Sequence, residues 1–332
     1  MNKSIAKKFF AYRFYVIKNK AIDVKSIIFI LLTVAVLVVL LISPSVYIQS
    51  TVNGLNIFAL SVLPSLFPFM FFSTVLTNLG TPLFLSKLSF TKKLYNAPPI
   101  SSYVLFMSLL CGYPVGAKIL DDLYMKGYIY SSDVKKCASF TSTSGPLFIL
   151  GTMGSAILND IRLSVFVLLA HYLSAFLNGF IYRGKTKKEY KSVNLTLNVK
   201  DALDDSIKSS TVTMLNLCGY IVVFNLIIDV LLNLNVIGFI ENLSHSSGIV
   251  EALLCGMVEM TRGTIMVSKL TLPAFAKCGM LSFIISFSGL GIIFQTLSFV
   301  GECKVRKSAV ILEKFTQSII AAILGVLLGL MY

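Results

Sequence analysis

Charge and histidine are both scarce in this chain of 332 residues: charged side chains make up 13% of it and histidine occurs twice. So little charge, set against 56% hydrophobic residues and a mean hydropathy of +0.83, excludes a water-soluble domain of ordinary composition and marks a membrane protein. The six cysteines, Cys111, Cys137, Cys218, Cys255, Cys278 and Cys303, stand singly with no CxxC pair, and two histidines are too few to complete ligand sets with them. A disulfide framework and a zinc site are thereby excluded, and the cysteines read as small apolar packing residues. HExxH, GxSxG, the P-loop and paired-carboxylate metal motifs are absent too, so no enzyme and no cofactor are expected. Acidic residues are the scarcer sign, 15 against 29 Lys and Arg, for a net charge of +14. No basic stripe interleaved with base-stacking aromatics accompanies the excess, so its expected partner is anionic lipid rather than nucleic acid.

What is present is apolar length. A bilayer core takes about 20 apolar residues per helix. Lys18, Lys20 and Lys25 precede the apolar run 27–42 as in a signal peptide, but no A-x-A-like site follows, so an uncleaved first span is expected. Lys25 and Lys87 bracket a stretch without charge, long enough for two spans turning near Ser43-Pro44-Ser45 and Gln49 to Asn53. With the uncharged segments 137–159, 163–182, 209–228, 278–301 and 315–332, this predicts an all-α polytopic protein with about seven transmembrane helices. Two shorter apolar pieces, 100–111 and 249–258, cannot cross alone and read as re-entrant helical hairpins.

The basic residues set the orientation. With the tail cytoplasmic, a first hairpin that returns to the side it left keeps Lys87, Lys92, Lys93, Lys126, Lys135 and Lys136 inside, as it does the basic linker residues from Arg183 to Lys208 and Lys304, Arg306 and Lys307. Outside remain mainly Arg162, Lys269 and Lys277. A full crossing in place of the hairpin would invert everything after it. The two halves also match: Leu109-Leu110-Cys111-Gly112 recurs as Leu253-Leu254-Cys255-Gly256, and the same shift sets Lys118 on Arg262, Ser142 on Ser286, Ser144 on Ser288 and Gly145 on Gly289. The hairpins start from opposite sides, so the repeat is expected to be inverted, as in many secondary transporters.

The expected layout is a basic cytoplasmic tail 1–25, a first transmembrane helix 26–50, and a first repeat 51–182 with its hairpin near 98–126 and a broken helix 137–159. A basic linker 183–208 leads to a second repeat 209–300 with its hairpin near 247–270 and a broken helix 278–300, and a last helix 301–332 follows.

Substrate in such proteins is held where hairpin tips meet broken helices. Gly112 and Pro114 mark the first tip, and the helix after Pro114 presents N-terminal amides that favour an anion, with Lys118 one turn on. Lys118 either binds substrate or snorkels to the interface. At the second tip Glu259 and Arg262, three apart, either bind substrate or gate, or form a structural pair; Glu259 is a candidate for proton coupling. The hydroxyl run Thr141-Ser142-Thr143-Ser144 ahead of Gly145-Pro146, and Ser286, Ser288 and Gln295 around the matching break, suit a polar solute or Na⁺, although Ser and Gly also serve as close-packing residues. Coupling to H⁺ or Na⁺ stays open. Asn216 and Asn225 are weaker candidates, Asp229 is expected near the outer surface, and His171 reads as an interhelical hydrogen-bonder.

Gly112-Tyr113-Pro114-Val115-Gly116-Ala117-Lys118, the run from Ser139 to Ile149, Ala170-His171-Tyr172 and Glu259-Met260-Thr261 before Gly263 together resemble the sporulation integral membrane protein family of endospore formers, the YlbJ type (stage V sporulation protein V). The chain departs from that pattern at Tyr113, Val115 and Gly145. The family lies in the nucleoside recognition or Gate-domain group, whose hairpins and broken helices look like those of concentrative nucleoside transporters. The resemblance implies a carrier of dipicolinic acid, a small aromatic dicarboxylate, in the bacterial inner membrane and specifically the mother-cell-derived outer forespore membrane. Two carboxylates would suit Lys118 and Arg262. Nucleosides are the alternative substrate, and a non-transporting Gate-like scaffold or regulatory component is the alternative role.

Overall fold

The computed structural model describes residues 24–184, 199–244 and 246–332, and every regular element among them is helical. Residues 1–23, most of the basic linker and His245 lie outside the described residues. By its internal contacts the chain divides into Met1–Ile48 and Gln49–Tyr332. In the first unit α1 (Val24–Ile42) ends where Ser43 and Pro44 interrupt the apolar run.

Helix α2 (Pro44–Asn78) starts at that proline and runs unbroken through Gln49 to Asn53. The second turn expected there is therefore absent. The Gln49 and Asn53 side chains stand one turn apart on the helix and hydrogen-bond each other at 3.1 Å, which lets two amides remain in helical chain. Pro64 and Pro68 also lie inside α2, where the wider π turn Phe58–Val62 precedes Pro64 and accommodates its missing amide.

Five helices of the described residues are long and apolar enough to cross a bilayer: α2, α7 (Ile161–Ile181), α8 (Val199–Asn233), the broken Ala274–Glu302, and α13 (Lys307–Gly329). The chain is an integral membrane protein of the polytopic α-helical class. About seven crossings were expected from apolar runs. Two of those runs yield helices too short by themselves, Ser26–Ile42 and Leu147–Leu158, because breaks at Ser43-Pro44 and Ser142 to Pro146 cut into them.

Between the long helices lie two helical hairpins. In the first, α3 (Ser101–Cys111) stops at Gly112, whose φ of +79° and ψ of −169° suit glycine alone, and α4 (Val115–Met125) starts after Pro114. In the second, α9 (Ile249–Val258) stops at Glu259, which is extended, and α10 (Met260–Lys269) starts under its carboxylate. Two helices are interrupted: α5 (Ser131–Thr141) gives way over Ser142 to Pro146 to the π-wound α6 (Leu147–Leu158), and α11 (Ala274–Phe287) gives way at Ser288, with φ +72°, to α12 (Gly289–Glu302).

Carried along the shift that sets Leu109 on Leu253, α4 falls on α10, α5 on α11, α6 on α12 and α7 on α13. The hairpin tips do not follow the shift: Gly112 ends its helix, whereas Gly256 is inside α9 and the chain turns at Glu259 instead. The packing crosses between halves, with α4 against α12 and α10 against α6. At the centre α13 lies along α11 and α7. Small residues permit the close approach: a Cβ on Gly325 would meet the Ser282 hydroxyl at 2.5 Å, and one on Gly329 the Phe275 backbone at 2.6 Å.

Candidate functional site

Each hairpin tip abuts a helix break, backbone against backbone. A Cβ on Gly112 would lie 2.3 Å from the Gly145 amide nitrogen, and one on Gly145 would lie 3.1 Å from the Cys111 carbonyl. The Thr143 hydroxyl donates to the Ser108 carbonyl at 2.9 Å, fastening the first break to α3. At the second contact a Cβ on Gly289 would lie 3.0 Å from the Met260 nitrogen and 3.2 Å from the Val258 carbonyl. Glycine is needed at these points because any side chain would hold tip and break apart.

Two side chains tie the halves together across these contacts. His171 of α7 is fully buried; its Nε2 accepts from the Ser144 amide at 2.8 Å and its Nδ1 bonds the Ser286 hydroxyl at 2.7 Å. An amide can only donate, so Nε2 is the bare nitrogen and Nδ1 carries the proton toward Ser286. Tyr113, from the first tip, donates its phenol to the Ile285 carbonyl ahead of the second break.

Between the tips and breaks is a partly enclosed cavity with about 40 Å³ of free central space. Its polar lining includes Tyr113, Ser144, Tyr220, Glu259, Ser288 and Gln295, with Ser65 and Thr261 beside them, and its apolar walls include Phe148 and Leu217. Gln295 is 1% exposed, and among the described residues neither its amide nitrogen nor its oxygen has a hydrogen-bond partner. Buried amides in that state are rare, and the usual resolution is a ligand or water. The Glu259 carboxylate caps α10, accepting from the Thr261 and Arg262 amides at 3.1 and 2.7 Å.

Of the residues singled out in the sequence, Ser144, Glu259, Ser288 and Gln295 meet in this cavity. Gly112 and Pro114 shape the tip beside it. The Thr141 hydroxyl bonds back to the Cys137 carbonyl, Ser142 gives its carbonyl to Lys314, and Ser286 serves His171. Neither proposed cation lines the cavity. Lys118 pairs with Asp122 at 2.9 Å, one turn further along α4, in an open polar vestibule with Asp121, Asp205 and Lys208. Arg262 pairs with Asp229 of α8, both side chains being half-buried. Glu259 and Arg262 do not pair through their side chains, because Glu259 precedes the helix in extended conformation and spends its oxygens on amides.

Tyr113, Tyr220 and the buried trio Glu313, Lys314 and Gln317 of α13 lie outside the sequence-derived set. The Lys314 ammonium is 2.9 Å from the Ser142 carbonyl and 3.1 Å from Gln317 Oε1, and it stands 5.1 Å from the Tyr113 ring centroid. An ionisable pair within an apolar helix is the signal that points to it. The pair escapes notice when the last span is started at Phe315, the first residue of the uncharged run, instead of at Lys307 where the helix begins.

The chain is 27% identical over 318 residues to the sporulation integral membrane protein YlbJ of Bacillus subtilis (strain 168), a match covering 86% of this chain and 78% of that protein. The resemblance carried by the motifs thus extends along most of both sequences. No family model matches the chain, and no solved structure matches it.

Proposed function

We propose that this protein is a secondary transporter that binds a small polar solute in the cavity between the two tips and the two breaks. The unpartnered Gln295 amide is the observation that carries this reading, since it presents a donor and an acceptor to a space bounded by irregular backbone from both halves. In this account the recurring element order is an inverted repeat, α1 and the broken α5 and α6 complete about seven crossings, and the hairpins are re-entrant. The vestibule at Lys118 is the cytoplasmic approach. The free space holds roughly two or three waters, so a solute of aromatic size enters only when a tip parts from its break.

The sporulation resemblance names dipicolinate as the solute and the outer forespore membrane as the location. For a dianion, Lys118 and Arg262 must leave Asp122 and Asp229 as the cavity opens. A second reading, an uncharged nucleoside, is favoured by a lining with Tyr113, Tyr220 and Phe148 but no Lys or Arg. Uptake of labelled dipicolinate and of nucleosides into proteoliposomes tests both. Uptake of dipicolinate alone supports the first and of nucleosides alone the second; uptake of neither a dicarboxylate nor a nucleoside would leave a non-transporting scaffold.

Gln295→Met has a signature that sets binding apart from packing. It removes a buried amide with no partner, so the melting temperature is expected to hold or rise. Affinity for the transported solute is expected to fall about tenfold, the equivalent of one hydrogen bond of roughly 1.5 kcal/mol. Parallel loss of stability and affinity would assign Gln295 to packing instead.

The orientation is tested by labelling with an impermeant thiol reagent in a background without native cysteines. A Tyr128→Cys site is expected to react only from the cytoplasmic side and an Asn159→Cys site only from the opposite side. Labelling of Tyr128→Cys from outside intact cells would reverse the assignment.

A further inference from the structure

The first helix break holds an amino group that belongs to the protein, on Lys314. Lys314 is 3% exposed on α13, and among the described residues no carboxylate forms an ion pair with it. Its neighbour Glu313 is equally buried, yet among the described residues neither Glu313 oxygen has a hydrogen-bond partner, so Glu313 does not hold the ammonium. An ammonium has three N–H groups to place. Two positions are filled by the Ser142 carbonyl at 2.9 Å and Gln317 Oε1 at 3.1 Å, and the third acceptor in reach is the face of Tyr113, at 5.1 Å. The Ser142 carbonyl caps the C-terminal end of α5, the negative pole of a half-helix that ends inside the protein. Half-helix C-termini and unwound carbonyls are the groups with which interrupted helices hold an alkali cation.

We propose that the Lys314 ammonium is the resident cation of this break, filling a site of Ser142 carbonyl, Gln317 amide oxygen and Tyr113 ring that would otherwise take Na⁺. The consequence for coupling, which rests on the transporter reading above, is that solute movement draws nothing from a Na⁺ gradient at this break. The geometry also links the charge to the cavity. Tyr113 presents one face to Lys314, lines the cavity, and donates to the Ile285 carbonyl of the other half. Loss of the ammonium frees the Ser142 carbonyl and the Tyr113 ring together.

The test uses the full chain purified in detergent, with no solute, melted in NaCl and in choline chloride at equal ionic strength. Wild type is expected to melt at the same temperature in both. Lys314→Ala is expected to melt lower in choline chloride and to recover by several degrees in NaCl or methylammonium chloride, because the emptied site accepts a small cation. A specific rise of the wild type in NaCl overturns the proposal, and so does a Lys314→Ala protein indifferent to every cation. Should Lys314→Ala fail to fold, the wild-type comparison decides, and Lys314→Met, which keeps the chain length without the charge, supplies the variant arm. In proteoliposomes an imposed Na⁺ gradient is expected to leave dipicolinate uptake unchanged. A protein that behaves as expected in the melts and moves no solute keeps its internal cation and loses the transporter assignment, so the two failures are distinct.

Discussion

Gly112→Ala is expected to destabilise the protein by roughly 2–6 kcal/mol and to abolish solute binding. Two penalties combine at this position. The backbone at φ +79° and ψ −169° lies in a region open essentially to glycine, worth about 1–3 kcal/mol for any other residue. The new methyl would also sit 2.3 Å from the Gly145 nitrogen, a backbone atom that cannot swing aside, and overpacking of that kind costs about 1–3 kcal/mol. Gly127→Ala separates the two: its φ is +75° with nothing within 4 Å of a Cβ, so only a backbone penalty of about 1–2 kcal/mol remains, with binding intact. Thermal melts with solute-binding isotherms on the three proteins measure this. Equal behaviour of Gly112→Ala and Gly127→Ala would show that the tip is not seated against the break.

His171→Leu has the second largest expected effect, a loss of roughly 2–5 kcal/mol. Leucine offers no acceptor, so the buried Ser144 amide is left unsatisfied, at about 1–3 kcal/mol, and the Ser286 hydroxyl loses its partner as well. Ser286→Ala leaves only the buried His171 Nδ1–H unsatisfied and keeps the Ser144 bond, so it should cost less, about 1–3 kcal/mol. The same melts distinguish them, and a His171→Leu protein no less stable than Ser286→Ala would mean that the imidazole does not join the breaks.

Composition and punctuation made the helical membrane class legible, and the same punctuation marked particular stops. Glycine beside Pro114 and hydroxyls ahead of Gly145-Pro146 are local backbone effects, and the helices end beside them at Cys111 and Thr141. Ser144, Glu259, Ser288 and Gln295 could be singled out because polar groups in apolar segments demand an explanation. The partners of the cations could not be seen in the same way. Asp122 is one turn from Lys118, but Asp229 reaches Arg262 from a different helix, and which acid faces which base depends on how α8 and α10 are rotated. Nor do apolar runs mark where helices begin: α8 and α13 start ten and eight residues before the uncharged cores at Ser209 and Phe315, which carried Glu313 and Lys314 out of sight.

The seats of both tips are made of main chain, and that limits how they can move. A gate built from leucine or phenylalanine can leak by degrees, since each side chain hops among rotamers on its own in nanoseconds. Glycine has no rotamers. Gly112 against Gly145, and Gly289 against Val258 and Met260, can separate only if a length of helix is displaced with them, a collective motion of microseconds or slower. Fast side-chain fluctuation therefore opens no continuous file of water along these two seams, and while the tips stay seated they offer protons no path.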